Sequence, residues 1–310
     1  MKDSAASSSD HGLSRRSFVS SLASATALLG TGSLLSAPNV MSAAETPVDS
    51  NQKETVVAFG AHPADIFSPA GATLLKHALR GDRVIAVPLT AGLGHLWHPP
   101  LGTLGKLKTE KTAQFKTFAQ AKAYYLGLVK ETYAELKPVE LHMLDLQDSP
   151  LAISVENIKA VAEVIRQYQP SIVISHHPTM ALLAGHPDHR DCGELVLRAI
   201  MLAMEDNFME SSHPTASPTS RILCYASSER WQALGQADAP NLFVDVRDTA
   251  AAKDKAALAH QVFGVTPASL KDGWAKSAQP GYPHLEAFVQ LRPIVVDYLR
   301  SSPGRPWLAA

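Results

Sequence analysis

The chain has 310 residues, of which 45% are hydrophobic and 18% charged, and its formal net charge is -1. This length allows a sizeable buried core, and the near-neutral balance argues against a nucleic-acid or anionic-membrane partner. With only two cysteines, Cys192 and Cys224, the sequence excludes a disulfide scaffold. Two buried free thiols are favoured over a single bridge.

The N-terminal residues have the pattern of an export signal. A twin arginine, Arg15-Arg16, precedes an uncharged stretch rich in Ser, Ala, Gly and Thr that runs to Val40, and small residues follow up to Ala44. This pattern predicts a twin-arginine signal peptide over residues 1–44 and an exported, periplasmic or extracytoplasmic protein. A retained membrane anchor is the alternative, although the stretch is weakly apolar for a permanent span.

Short β-branched runs alternate with amphipathic segments along the rest of the chain. Thr55–Phe59 predicts a buried strand, and Ala70–Leu79 predicts a helix that stops at Gly81. Further strands are predicted at Arg83–Leu89, Leu141–Leu144, Ser171–Ser175, Ile222–Ala226 and Leu242–Val246, with helices at Lys108–Leu126, Val155–Tyr168, Asp191–Met204 and Thr249–Phe263. This alternation is typical of an α/β protein with a three-layer, Rossmann-like, mostly parallel sheet and helices on both faces.

Two polar clusters each follow a predicted strand. Residues 61–65, Ala-His-Pro-Ala-Asp, come directly after the first strand, and residues 185–190, Gly-His-Pro-Asp-His-Arg, come shortly after Ser171–Ser175 and before a helix. Because the carboxyl ends of parallel strands meet at one edge of a sheet, the two clusters can converge. Each cluster alone is a weak signal, but both in this position are a stronger one.

Two imidazoles and one carboxylate from these clusters would form a donor set suited to Zn²⁺. Three protein ligands leave one coordination position open for water, as in catalytic zinc sites. Zinc lowers the pKa of that water to about 7. The clusters therefore point to hydrolysis of an amide or ester.

The ordered set of motifs resembles the PIG-L/LmbE family of N-acetylglucosaminyl deacetylases over most of residues 54–265. The motifs that carry the resemblance are Ala61-His62-Pro63-x-Asp65, Ala70-Gly71-Ala72-Thr73, Leu89-Thr90-Ala91-Gly92, His186-Pro187-Asp188-His189, and a late stretch with Asp245, Lys253 and His260. The resemblance implies an LmbE-like fold and Zn²⁺ held by His62, Asp65 and His189. It also implies that His186, oriented by Asp188, stabilises the oxyanion or protonates the leaving amine.

One position departs from the family pattern. The family typically reads His-Pro-Asp-Asp-Glu, whereas this chain has Ala64 where the resemblance implies the carboxylate that acts as general base. Loss of a general base typically lowers a rate by about 10² to 10⁴. Asp188, Asp148 and His176 are candidates for a substitute base, and the sequence does not choose among them.

Other histidines and a tryptophan have two interpretations each. His176 and His177 follow a strand and either line the site or belong to a solvated loop. His95, Trp97 and His98 form either a substrate wall, because aromatic faces suit sugar rings, or a packed loop.

The sequence thus predicts one deacetylase domain over residues 45–310. Its activity would be zinc-dependent removal of an N-acyl group from an amino sugar or related amide, with zinc-bound water as nucleophile and an N-acetylated sugar or glycoconjugate as substrate. The alternative is a metal- and carbohydrate-binding protein with weak or no deacetylase activity because of Ala64. The chain lacks Gly-x-Gly-x-x-Gly after the first strand and lacks Gly-x-Ser-x-Gly, which argues against nucleotide-cofactor and serine-hydrolase chemistry. The twin-arginine export machinery is the expected protein partner.

Overall fold

The structure is a computed structural model that describes residues 53–94, 96–98, 103–104, 115–179, 186–207, 209–219, 221–226, 240–260 and 262–291. All of these residues belong to one compact unit, Asn51–Ala310. The predicted signal peptide at residues 1–44 and His95 lie outside the described residues. Within the described part of the chain, every helix is too short or too polar to cross a membrane.

A seven-stranded sheet forms the centre of this unit. The strands are β1 (Thr55–Gly60), β2 (Arg83–Pro88), β5 (Glu140–Leu141), β6 (Ile172–Ser175), β7 (Arg221–Ala226), β8 (Leu242–Asp245) and β9 (Leu285–Leu291). Their order in the sheet is β5-β2-β1-β6-β7-β9-β8. Every pairing from β5 to β7 is parallel, whereas β9 runs antiparallel to both of its neighbours. A short antiparallel hairpin, β3 (Trp97–His98) with β4 (Thr103–Leu104), stands apart from this sheet.

Helices cover both faces of the sheet. They are α1 (Ala64–Arg80), α2 (Phe118–Ala134), α3 (Val155–Tyr168), α4 (Pro187–Ala203), α5 (Ala250–His260) and α6 (Pro267–Ser277). Alternate residues of β1 point to opposite faces: Val56 and Ala58 pack with α1, α2 and α5, whereas Val57 and Phe59 pack with α3 and α4. The predicted three-layer, mostly parallel α/β architecture is therefore confirmed.

Two helices begin earlier than their sequence pattern predicted, and both changes concern the polar clusters. Helix α1 begins at Ala64 rather than Ala70, and α4 begins at Pro187 rather than Asp191. Pro187 is the first residue of α4, a position where proline is favoured because its missing N–H has no intrahelical partner in any case, and Pro63 is the N-cap of α1. As a result, Asp65 and His189 lie in the first turns of helices instead of in loops.

The structure also contains elements that the sequence analysis did not predict. Helix α6 starts with a capping box, in which the side chains of Thr266 and Ser269 each accept from the other's backbone N–H. Strand β9 joins β7 to β8. Helix α2 runs over Phe118–Ala134, so it starts later and ends later than predicted, and Thr117 caps its N-terminus. Residues 108–114 of the predicted helix lie outside the described part.

Candidate metal centre

The first polar cluster forms a tight turn between β1 and α1. The Asp65 carboxylate accepts from the backbone N–H of His62 at 2.8 Å, and the Asp65 N–H donates to the His62 carbonyl at 3.2 Å. The same carboxylate lies 3.0 Å from Nδ1 of His62. These contacts fix both side chains directly at the carboxyl end of a buried parallel strand.

The loop after β2 packs against this turn. The Thr90 hydroxyl donates to the carbonyl of Ala61 at 2.8 Å and accepts from the N–H of Gly92 at 3.1 Å. Gly92 has φ +71°, and a Cβ at this position would lie 2.9 Å from the Cβ of His62. Only glycine allows both this backbone conformation and this close approach to His62. The structure therefore explains why the Leu89–Gly92 motif ends in glycine.

The second polar cluster forms the N-terminus of α4. His186 is the N-cap, and its ring Nδ1 accepts from the N–H of Asp188 at 3.3 Å. One turn of helix then brings His189 towards the first cluster, where its Nε2 lies 3.3 Å from Oδ1 of Asp65. The rings of His62 and His189 are 5.5 Å apart. The two clusters therefore converge, as the parallel topology predicted.

Asp188 is fully buried between two histidines. Its Oδ2 lies 3.5 Å from Nε2 of His62 and 3.7 Å from Nδ1 of His186. The backbone N–H groups of Ser149 and Leu151 donate to it at 2.9 and 3.0 Å. The loop before α3 thus holds this carboxylate in place, an anchor that the sequence did not predict.

His176 also belongs to this site. Its Nε2 lies 3.3 Å from Oδ2 of Asp65, and its ring stacks on that of His189 at 4.4 Å. Tyr225 contacts the other side of the ring at 5.3 Å. The sequence left His176 between a site residue and a loop residue, and the structure brings it into the site; its position directly after a parallel strand was the available signal.

The charges of this site depend on one another. Burial opposes ionisation of both His62 and Asp65, but their partners outweigh it. Hydrogen bonds to Asp188 and Asp65 raise the pKa of His62 to about 9, and three histidines hold the pKa of Asp65 well below its usual range. Burial lowers the pKa of His176 and His186. In the protein alone, the carboxylates thus attract a proton onto one buried imidazole, and an environment of this kind favours a cation.

The donor atoms of this environment fit a metal ion. Among the described residues, two sets of three have ligand atoms that all lie within 4.8 Å of one another: His62, Asp65 and His189, and His62, His186 and Asp188. Both sets combine two imidazole nitrogens with one carboxylate oxygen, which suits zinc. We call His62, Asp65 and His189 the ligand cluster.

Glu286 on β9 accepts hydrogen bonds from the backbone of α1, and the sequence analysis did not predict this contact. Its carboxylate accepts from the backbone N–H groups of Ala72 and Thr73 at 3.1 and 2.7 Å, and Lys253 donates to it at 2.7 Å. Pro69 lies inside α1, and a proline disturbs the helical hydrogen bonds around it. The buried Lys253–Glu286 pair satisfies the N–H groups in the following turn and so stabilises the helix that carries Asp65.

The remaining predicted site residues have other contacts. Asp245 pairs with Arg247 at the end of β8, and His260 lies near Tyr125 in an aromatic environment. Nδ1 of His177 is hydrogen-bonded to the Thr179 hydroxyl, and the ring of Trp97 packs against that of Phe115. Asp148 accepts from the N–H of Gly94 at 3.0 Å, and Arg190 pairs with its neighbour Asp191. Cys192 and Cys224 are buried free thiols.

Fold and site together define an α/β protein with a candidate metal centre at the carboxyl edge of a mostly parallel sheet. Residues 57–200 match the family model of the GlcNAc-PI de-N-acetylases, PIG-L. This match includes both polar clusters.

Relatives that the chain matches are named as deacetylases of N-acetylated sugars. The chain is 28% identical over 215 residues to the diacetylchitobiose deacetylase of Thermococcus kodakarensis, covering 68% of this chain and 70% of the relative. It is 28% identical over 176 residues to the 1D-myo-inositol 2-acetamido-2-deoxy-alpha-D-glucopyranoside deacetylase of Kineococcus radiotolerans, covering 50% of this chain and 47% of the relative. It thus spans about half the length of that second relative.

The fold is also that of a solved deacetylase. The N,N'-diacetylchitobiose deacetylase from Pyrococcus horikoshii, complexed with its inhibitor MPG, superposes with a TM-score of 0.60 at 22% identity. The superposition covers 77% of this chain and 84% of that chain. At this identity the likeness concerns the fold.

Proposed function

We propose that this protein is a zinc-dependent hydrolase that removes an N-acetyl or other N-acyl group from an amino sugar or a related amide. The observation that carries the proposal is the convergence of His62, Asp65 and His189, with ligand atoms within 4.8 Å of one another. The names of the relatives supply the substrate class. In this proposal, the ligand cluster holds Zn²⁺, which, when bound, acts as a Lewis acid on the amide and lowers the pKa of water.

The chain's own residues divide the remaining tasks. His186 lies at the N-terminus of α4 beside His62, with ring centroids 5.1 Å apart, so it can donate a proton to the leaving amine or a hydrogen bond to the developing oxyanion. Asp188, held by the backbone of Ser149 and Leu151, orients His62 through its carboxylate and His186 through its backbone N–H, which donates to Nδ1. A buried, anchored carboxylate of this kind keeps an imidazole in one orientation.

The proton of the attacking water needs an acceptor other than residue 64. Ala64 offers none, and hydrogen bonds from His62 and the backbone lower the pKa of Asp188, which makes its carboxylate a weak base. His176 lies beside Asp65, and burial lowers its pKa, so its imidazole is uncharged at neutral pH and can accept a proton. We assign the role of substitute base to His176 rather than to Asp148, whose carboxylate contacts the backbone of Gly94.

The alternative function is metal and carbohydrate binding with weak or no hydrolysis. Ala64 favours it, because general-base catalysis typically contributes about 10² to 10⁴ in rate. The pair of His186 and Asp188 favours the hydrolase, because a protein that only binds a sugar would need neither. The two functions predict the same metal content and different amine release.

The deciding experiment measures zinc per chain and amine release from a panel of N-acetylated amino sugars. We expect one zinc per chain and release that a chelator abolishes and added zinc restores. His189→Asn should lose most of the bound zinc and the activity. His213→Asn is the matched control, since His213 pairs with Glu163 on another part of the surface. Bound zinc without amine release would favour the binding protein, and full zinc content in His189→Asn would contradict the ligand assignment.

We further propose that the protein is exported through the twin-arginine pathway and that residues 1–44 are removed. Export of a folded protein would allow zinc to be loaded before translocation. Fractionation of cells that produce the full chain, compared with the Arg15→Lys/Arg16→Lys variant, tests this. Equal distribution of both proteins between fractions would contradict export by this route.

A further inference from the structure

A cavity of about 450 Å³ lies beside the metal centre, between α1, α5, α6 and β9. This volume is within the range of small-molecule sites, about 300 to 1,000 Å³. Apolar and aromatic side chains dominate the wall of this cavity. They include Ala64, Phe67, Ala226, Leu270, Trp274 and Leu285. The function proposed above assigns no role to this space.

Two of these wall residues connect the cavity to the site. Ala64 directly precedes Asp65, and Ala226 directly follows Tyr225, whose ring contacts His176. Both lie at the carboxyl edge of the sheet. The cavity thus begins at the position where the resemblance implies a carboxylate, and Ala64 makes that entrance apolar.

The charged residues of the wall already have partners in the protein. Lys253 and Glu286 pair with each other, and the ammonium of Lys253 lies 4.4 Å from the centre of the Trp274 ring. The indole N–H of Trp274 donates to Asp254 at 2.8 Å. A sugar ring needs hydrogen-bond partners for its hydroxyls, whereas a hydrocarbon chain does not. The wall therefore suits a hydrocarbon group better than a sugar or an anion.

We infer that this cavity binds the acyl chain of the substrate and that the chain's preferred substrates carry N-acyl groups longer than acetyl. The inference rests on the proposed function, because the amide at the metal centre determines where the acyl chain begins. Each methylene that is fully buried strengthens binding by about fourfold. A hexanoyl group adds four methylenes to acetyl, so we expect it to bind at least about tenfold more tightly even with partial burial.

The test compares N-hexanoylglucosamine with N-acetylglucosamine by calorimetric titration of the zinc-loaded protein carrying His186→Asn, which removes the proposed proton donor and keeps the ligand cluster. Gly273→Leu narrows the cavity, because Gly273 lines it and a Cβ there meets no atom within 4 Å. Gly127→Leu is the matched control: it is also a helical glycine with no atom within 4 Å of an added Cβ, but it lies on α2. We expect Gly273→Leu to abolish the preference for the hexanoyl sugar and to leave the affinity for N-acetylglucosamine within about twofold of that of the protein with Gly273. We expect Gly127→Leu to retain the preference for the hexanoyl sugar.

Equal binding of the two sugars by the protein that retains Gly273 would overturn the inference, and so would a hexanoyl preference that survives Gly273→Leu. Amine release by the zinc-loaded protein with His186 intact is measured in parallel. Release from neither sugar would contradict the proposed function, whereas the binding preference would still test the cavity. The two failures are therefore distinguishable.

Discussion

The ligand cluster and the Lys253–Glu286 pair each contain a carboxylate at α1, Asp65 in its first turn and Glu286 at the backbone of Ala72 and Thr73, and the two carboxylates have different partners. Glu286 receives two backbone N–H groups and one ammonium, so its charge is balanced by the protein itself. Asp65 is surrounded by His62, His176 and His189, whose charge depends on a bound proton or cation.

This difference separates a structural site from a candidate functional one. A carboxylate with permanently charged or backbone partners stabilises the fold throughout the neutral pH range. A carboxylate among imidazoles can instead be balanced by a proton or by a bound cation, and one can replace the other.

The largest effect is expected from Asp65→Asn, which keeps the shape of the side chain and removes its charge. Even the outer partners of metal ligands account for about 10- to 100-fold in metal affinity, so we expect zinc affinity to fall by more than about 100-fold and amine release to reach background. Zinc titration monitored by elemental analysis measures the change, with circular dichroism to show that the variant is folded. Unchanged affinity would exclude Asp65 as a ligand.

Glu286→Ala should destabilise the fold by about 3 to 5 kcal/mol, because it leaves Lys253 buried without its partner and frees two backbone N–H groups of α1. Urea unfolding measures this loss. Glu140→Ala is the control, since Glu140 pairs with Arg83 on the surface, and we expect a loss of no more than about 1 kcal/mol. Equal losses in the two variants would show that Glu286 does not hold α1.

The stability contributed by His260 should depend on pH. Burial lowers the pKa of His260 to about 4, from 6.5, so below pH 6.5 the unfolded chain binds a proton that the folded protein excludes. The contribution is therefore complete above about pH 6.5 and decreases towards pH 4, by up to about 3 kcal/mol. The measurement is the difference in unfolding free energy between wild type and His260→Phe across this range. Parallel curves would contradict the prediction.

Ala64→Asp is expected to raise deacetylase activity, because it restores a carboxylate beside Asp65 and the adjoining cavity leaves room for it. General-base catalysis contributes about 10² to 10⁴ in rate, and the gain is smaller than this if His176 already supplies part of it. Steady-state amine release measures this gain. Ala64→Asn has the same shape without the base, so an equal increase in both variants would mean that the base is not the cause.

Much of the parallel half of the fold could be predicted from sequence. Val155–Tyr168 has the predicted bounds, and β1, β2, β6, β7 and β8 lie within one or two residues of their predicted ends. These elements have strong local patterns: β-branched runs for buried strands and regular apolar spacing for helices. Strand β9 and helix α6 were missed, although the apolar run Leu285–Leu291 and the Thr266–Ser269 capping box were available as local signals.

The sequence by itself determined which side chains could form the site, because His62, Asp65, His186, Asp188 and His189 lie in short motifs next to strands whose carboxyl ends share one edge. Only the tertiary structure decided that His176 stacks on His189, that Ser149 and Leu151 anchor Asp188, and that Glu286 supports α1 across 214 positions of sequence. Contacts between segments so far apart leave no local pattern, because they arise when the sheet brings distant strands and loops together.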